Sequence, residues 1–273
     1  MVDEAGSELE RLVRVTGLGV GLDQSGRLSE SSMRRTAAAL GEFRRSLVHH
    51  RVDSLRVVAT AACRGAENAE EFLNLAELAL ETRAEIISAD EEARLAYAGV
   101  SGAFPWEDQI VVIDIGGGST EFVSSQESCS VEIGSVRITD RMLGPGPVGF
   151  DVLQSVSEMV DELLSQAPKL SGCGIGVAGT WTSLAAMSLR LPAYDPVAVH
   201  GSAIDRTSID RLVGLLAGLT VDEIAGIPSM DPNRAPVILG GALIARGAIR
   251  RLDMEEVKIS ERDLLDGVVA GLP

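Results

Sequence analysis

The segment Val111-Val112-Ile113-Asp114-Ile115-Gly116-Gly117-Gly118-Ser119-Thr120-Glu121-Phe122 limits what this chain can fold into more than any other. Gln109–Ile115 is a continuous apolar run of strand length, it stops at three glycines, and Thr120–Ser124 reads as its hairpin partner. A carboxylate closes the first strand and another opens the second, so Asp114 and Glu121 flank the turn within reach of one hydrated Mg²⁺, which takes one or two carboxylates and keeps several waters. Gly116, Gly117 and Gly118 allow positive φ and close backbone approach, and Ser119 and Thr120 add hydroxyls. Such a turn can aim successive N–H groups inward as a nest for phosphate oxygens. A tight hairpin with solvated acids is the alternative; acid, glycines, hydroxyls and acid together favour a phosphate and metal site.

Strands and helices alternate on either side of this hairpin. Leu9–Thr16 reads as a strand, followed by a turn rich in glycine (Gly17, Gly19, Gly21, Gly26) and a helix over Ser29–His50. Leu55–Thr60 is a strand, Asn68–Glu81 a helix and Ala84–Ile87 a short strand. After Ser124 the pattern restarts: strands at Ser130–Ile133, Gly174–Ala178 and Glu256–Ile259, helices at Phe150–Gln166, from Thr180, and over Ile209–Leu219, Asn233–Arg251 and Glu261–Leu272. The reading is α/β in two halves, residues 1–123 and 124–273, each with a glycine turn and facing the other across a cleft. A length of 273 residues suits two domains of about 100–150 residues each.

Two further segments carry candidate chemistry. Ser88-Ala89-Asp90-Glu91 matches a capping box, so a helix starts near Ala89 with Glu91 reaching back to Ser88. Adjacent helical residues point about 100° apart, which leaves Glu92 as the free carboxylate, with Leu95, Ala96 and Gly99 beside it to desolvate it toward a useful base. Acidic residues complementing the helix dipole explain the same turn. The segment Gly174-Ile175-Gly176-Val177-Ala178-Gly179-Thr180 has dinucleotide-fingerprint spacing, but its glycines sit inside the strand rather than after it. What Gly179 and Thr180 offer is a strand-to-helix turn whose amides can face an anion; close strand–helix packing accounts for them equally well.

Charge narrows the partners. With 24 Lys and Arg against 40 Asp and Glu, the net charge of −16 argues against a nucleic-acid role, and any anionic ligand must be held by specific groups. The acidic start lacks the apolar core of a signal peptide, and no run approaches the roughly 18–20 apolar residues of a membrane span. Three scattered cysteines, Cys63, Cys129 and Cys173, without C-x-x-C pairing fit a reduced, cytoplasmic protein without a disulfide framework or zinc site.

The stretches Thr60–Asn68, Ile87–Val100, Val111–Val123, Gly134–Arg137, Gly176–Ala186, Val199–Gly201 and Arg234–Ile244 together resemble the exopolyphosphatase and guanosine pentaphosphate phosphohydrolase family, within the actin, sugar-kinase and heat-shock-chaperone ATPase superfamily. The resemblance covers most of the chain in order. It implies two ribonuclease-H-like domains around a central cleft and Mg²⁺-dependent hydrolysis of a terminal phosphoanhydride, on inorganic polyphosphate or guanosine pentaphosphate, with a homodimer plausible. By the resemblance Glu92 is the catalytic base, Asp114 and Glu121 the metal-site acids and Gly116–Thr120 one phosphate loop. Gly179 and Thr180 form the opposing loop, Arg64 is the basic residue of the substrate channel, and His200 falls at a position better explained by packing. The family also opens with a β-hairpin whose turn reads roughly Asp-x-Gly-Thr-Asn-Ser, and no counterpart lies between Met1 and Leu9. The expectation is an N-terminal domain lacking its first hairpin, with the true start upstream of Met1; a weakened, non-catalytic relative is the other reading, and a sugar or acetate kinase would not explain the Glu92 segment.

Overall fold

The computed structural model describes residues 1–3, 6–105, 107–144 and 146–272. Two short strands come first, β1 (Val58–Ala59) and β2 (Glu85–Ile86), paired in parallel. They lie with the helices Glu30–His49 and Ala69–Leu80, whose Met33, Phe72, Leu73 and Ala76 form a small apolar cluster with Leu28 and Ala84. The main sheet has six strands: β3 (Ile110–Ile115), β4 (Thr120–Val123), β5 (Ser128–Val131), β6 (Cys173–Val177), β7 (Ala203–Asp205) and β8 (Glu256–Ile259), in the order β5-β4-β3-β6-β8-β7. β3, β6 and β8 run parallel, while β4, β5 and β7 are antiparallel to their neighbours.

Period-two alternation along β3 sorts its side chains between two cores. Val111, Ile113 and Ile115 join the larger one, against the helices Phe150–Leu164, Ala178–Ser188, Arg206–Ala217 and Ile238–Arg251. Ile110 and Val112 join Ile175 and Val177 of β6 beneath the helix Ala89–Ser101, which contributes Ala93 and Val100. The apolar run Ile110–Ile113 is thus explained: both faces are covered.

The helix Ala89–Ser101 is itself held down by Leu264–Ala270, and glycine sets how closely they cross. A Cβ on Gly99 would fall 2.1 Å from the Asp263 carbonyl oxygen, and one on Gly267 would fall 1.9 Å from that of Leu95. Both contacts are with backbone, so no side chain can rotate away. Gly267→Val is therefore expected to destabilise the fold by at least about 1–3 kcal/mol, the scale of overpacking, read as a fall in the denaturant midpoint. An unchanged midpoint would show that the helices do not need this separation.

The structure corrects several expectations. Leu9–Thr16 joins no sheet among the described residues; the Leu9 N–H donates to the Met1 carbonyl at 2.9 Å, and side chains anchor the rest, Arg11 Nη2 donating to Asp266 Oδ1 at 2.6 Å and Arg35 Nε to the Thr16 carbonyl at 3.1 Å. Ser88 does cap its helix, its Oγ accepting from the Glu91 N–H at 3.1 Å, but the Glu91 carboxylate turns to Arg56 at 2.6 Å, so only half of the capping box forms. The division placed at residues 123 and 124 falls between β4 and β5, hydrogen-bonded neighbours in the main sheet. No helix among the described residues is long and apolar enough to cross a membrane.

Candidate functional site

The alternation that buries Ile110 and Val112 also decides where the acids point. Asp114 shares their parity, so it faces the helix Ala89–Ser101, and Glu121 is its register partner on β4. Directly paired antiparallel residues stand side by side, which brings the two carboxyls together. Glu121 is buried, and Ser130 Oγ donates to its Oε1 at 2.7 Å. Burial first, then the charges of Glu121, Glu92 and Asp263, push the half-buried Asp114 carboxyl well above the usual carboxylate range. Glu121 is raised too: burial and the Glu92 charge lift it, while hydrogen bonds from Ser130 and Ser119 and the Arg64 charge work against them. Like charges crowded in a half-dry site are what a divalent cation offsets, and the hard oxygens of this pair suit Mg²⁺. Among the described residues no group of three or more His, Cys, Asp and Glu ligands converges, so two carboxylates with water and ligand oxygens is the set the site can offer.

Glu92 stands in the first turn of the helix Ala89–Ser101, near enough for its charge to be felt at both acids. It is paired rather than free: Arg64 Nη1 donates to Glu92 Oε2 at 2.5 Å and to the Ile87 carbonyl at 3.1 Å. Arg64 closes the short helix Ala61–Arg64, so its position fixes one oxygen of Glu92 and leaves the other for different work. The neighbours expected to desolvate Glu92 have another task, because Gly99 and the Leu95 backbone meet the Leu264–Ala270 helix.

Of these groups Glu92 lines a cavity of about 330 Å³, together with Gly116 to Ser119, Ala178, Gly179 and Thr180, and Arg137 and Arg234, while Asp114, Glu121 and Arg64 are not among its lining residues. The sequence-predicted loops do face each other. Their chemistry differs from expectation in three respects. None of Gly116, Gly117 and Gly118 has positive φ; the close approach that demands a glycine is made by Gly134, where a Cβ would lie 2.3 Å from the Gly117 backbone. The Thr120 hydroxyl is buried and donates to the Ile133 carbonyl at 2.6 Å, so it cannot reach a ligand. Thr180 is likewise buried, its hydroxyl 3.4 Å from the Ile115 carbonyl. With the Thr120 and Thr180 hydroxyls engaged by carbonyls and Ser119 bonding to Glu121, both loops have chiefly backbone amides to offer. The helix Ala178–Ser188 begins without a side-chain cap, and Ala178 sits at φ 64°, an uncommon conformation for a residue with a Cβ, at the cavity wall.

Sequence reasoning missed the cavity's two guanidinium groups. Arg234 packs over Gly179 so closely that a Cβ there would lie 2.0 Å from its Cζ; Nη1 donates to the Gly179 carbonyl at 2.7 Å and to Ser183 Oγ at 2.9 Å. Burial pulls its pKa down, partly offset by the Asp231 charge. The only signal was an arginine in the turn-like stretch Asp231-Pro232-Asn233-Arg234-Ala235-Pro236 ahead of an apolar helix. Arg137 is held on the other wall by Asp23 and Glu132. His200 stands apart from the cavity: its Nδ1 accepts from the Glu261 N–H at 3.2 Å and its ring centroid is 5.6 Å from that of Phe104, which is a packing role.

Comparison with known proteins agrees with this geometry. A family model described as the Ppx/GppA phosphatase family matches residues 3–272. Exopolyphosphatase 2 of Mycobacterium tuberculosis is 33% identical, over 97% of this chain and 89% of that protein. A bifunctional 3-dehydroquinate synthase/phosphatase of Fusobacterium nucleatum is 28% identical, over 96% of this chain and 41% of its own length. Among solved structures, an exopolyphosphatase-like protein superposes with a TM-score of 0.90 at 30% identity, covering 96% of this chain and 88% of that one. A Ppx/GppA family member from Aquifex aeolicus superposes with a TM-score of 0.79 at 28% identity, covering 98% and 90%. Matched by the family model over nearly its whole length and a third identical to a relative it covers almost entirely, this chain belongs to the Ppx/GppA phosphatase family.

Proposed function

We propose that this chain is an exopolyphosphatase, hydrolysing the terminal phosphoanhydride of inorganic polyphosphate with Mg²⁺ as cofactor. The observation that carries the reading is that Glu92, fixed by Arg64, lines the cavity beside the Gly116–Ser119 loop and stands close enough to the register pair Asp114 and Glu121 for its charge to be felt at both. Phosphoryl transfer asks a protein chiefly for positioning and charge neutralisation. Mg²⁺ held by Asp114 and Glu121 would draw charge from the terminal phosphoryl. Amides of Gly117, Gly118 and Ser119 hold the phosphoryl oxygens from one side, the Gly116 N–H being taken by the Ser119 carbonyl at 3.0 Å, and those at the start of the Ala178–Ser188 helix do so from the other. Glu92 orients an in-line water and accepts its proton. Arg64 neutralises phosphates further along the chain and holds one oxygen of Glu92 in place. In this reading Glu92 and the Gly116–Ser119 loop form one wall of the cleft and the start of the Ala178–Ser188 helix the other, to which Arg234 adds a cation.

Phosphate release should be Mg²⁺-dependent and fastest on polyphosphate when polyphosphate, guanosine pentaphosphate and ATP are compared side by side. Faster release from the guanosine nucleotide would reassign the substrate; none from any of the three would remove the hydrolase reading. Gly179→Ala tests the second wall. Its Cβ must expel the Arg234 guanidinium, so KM for polyphosphate should rise about tenfold, the scale of one lost charge-assisted contact, with little change in melting temperature. An unchanged KM would take Arg234 out of substrate binding.

A further inference from the structure

The glycine-rich turn after Thr16 arches over the cavity, and nothing in the proposed hydrolysis uses it. Gly17, Gly21 and Gly26 have φ of 63°, 74° and 68°, so left-handed residues stand at both ends and in the middle of this turn. From it, Asp23 reaches across to the segment that packs on the phosphate loop. There the Val136 and Arg137 N–H groups both donate to the Gly117 carbonyl, at 3.0 and 3.1 Å, which puts the Arg137 guanidinium immediately beyond that loop. Asp23 Oδ1 pairs with Arg137 Nε at 3.3 Å, and its Oδ2 pairs with Arg141. Two hydrogen bonds reinforce the crossing: the Gly21 N–H donates to Asp140 Oδ2 at 2.8 Å, and Gln24 Nε2 donates to the Asp140 carbonyl at 3.3 Å. Asp140 and Arg141 lie on a π-helical turn, Thr139–Leu143, a form found frequently at functional sites. Asp23 is 16% exposed and Arg137 21%, against 47% for Arg141, so the carboxylate is drawn into the cleft rather than set on its rim.

A carboxylate bridging two guanidinium groups occupies the position that a phosphate diester oxygen pair would take, with the same charge and the same preference for planar donors. We propose that Asp23 is a built-in competitor of the substrate: it closes the glycine turn over the cleft by occupying Arg137 and Arg141, and a phosphate chain long enough to pass from the Gly116–Ser119 loop to Arg137 displaces it. The proposal rests on the polyphosphate reading for its ligand, and it assigns chain-length selection to this contact. A chain too short to reach Arg137 leaves Asp23 in place and gains nothing from the two arginines. Arg141 is half-exposed, so its pair with Asp23 is individually weak, which is what allows an incoming polyanion to begin replacing the carboxylate there.

Asp23→Asn tests this, with Arg141→Gln as a second variant at an exposed position in case the first perturbs folding. In the free protein, hydrogen exchange of the amides in residues 17–26 should be about tenfold faster in both variants than in wild type. Long-chain polyphosphate should bind D23N about five- to tenfold more tightly than wild type, with KM lowered and kcat unchanged, while pyrophosphate affinity stays the same. Equal tightening for pyrophosphate would show a general effect of net charge and overturn the proposal, as would unchanged exchange in both variants. Faster loop exchange in proteins of which none, wild type included, binds polyphosphate would overturn the substrate reading and the competition with it, while leaving the loop contact established.

Discussion

Glu92→Gln is expected to slow phosphate release from polyphosphate by about 10²–10⁴-fold, the usual worth of a general base, with the fold and polyphosphate affinity preserved. The substitution keeps an oxygen for the Arg64 Nη1 hydrogen bond, 2.5 Å long in the wild type, so the side chain stays where it is. What it loses is the ability to take a proton from water. A kcat deficit at constant KM therefore separates this variant from one that only disturbs the cleft. Arg64→Gln should behave differently, raising KM and lowering kcat together, because Arg64 both neutralises the ligand and holds Glu92. Near-wild-type turnover by E92Q would remove Glu92 from the base role.

Asp114→Asn should have two effects of opposite sign. Phosphate release should fall by at least about 10²-fold, since half of the carboxylate pair that would hold Mg²⁺ is gone. Stability without Mg²⁺ at neutral pH should rise. The Asp114 carboxyl is held well above its ordinary range by burial and by Glu121, Glu92 and Asp263, so the folded protein binds its proton more readily than the unfolded chain does. Stability then falls as pH climbs from the ordinary carboxylate range toward the folded value, and the penalty is complete above it. Asparagine has no such penalty, so D114N should melt higher than wild type at neutral pH, with the difference vanishing in acid. Added Mg²⁺ should raise the wild-type melting temperature and leave that of D114N nearly unmoved. A D114N protein that melts lower than wild type at neutral pH, or that gains as much from Mg²⁺, contradicts the assignment.

The parts of this site that could be read in advance are those written in consecutive residues. The run Val111–Ile115 with its glycines gave β3, the hairpin and both acids, because alternation and register follow directly from spacing. The strand Glu256–Ile259 and the helix after Ser88 were equally local. What escaped depends on partners distant in sequence. Leu9–Thr16 has the composition of a strand, but a strand exists only where a neighbour offers hydrogen bonds. β7, three residues long, was overlooked because it owes its existence to β8 rather than to its own sequence. Thr120 looked like a ligand hydroxyl until the Ile133 carbonyl claimed it, and Arg234 and Asp23 reach the cavity only through the tertiary fold.

The close crossing of Ala89–Ser101 with Leu264–Ala270 bears on when this protein can begin to act. The helix carrying Glu92 emerges from the ribosome early, yet the surface it must lean on is made by residues near 270, and Arg11 waits on the same stretch for Asp266. Contacts of such sequence separation close late, because the loop entropy is lost before the contact is gained. A nascent chain can therefore build its β3–β4 hairpin, acids included, well before Glu92 has a fixed seat. Synthesis itself would then act as a timer, keeping the hydrolytic centre unassembled until translation has passed Gly267.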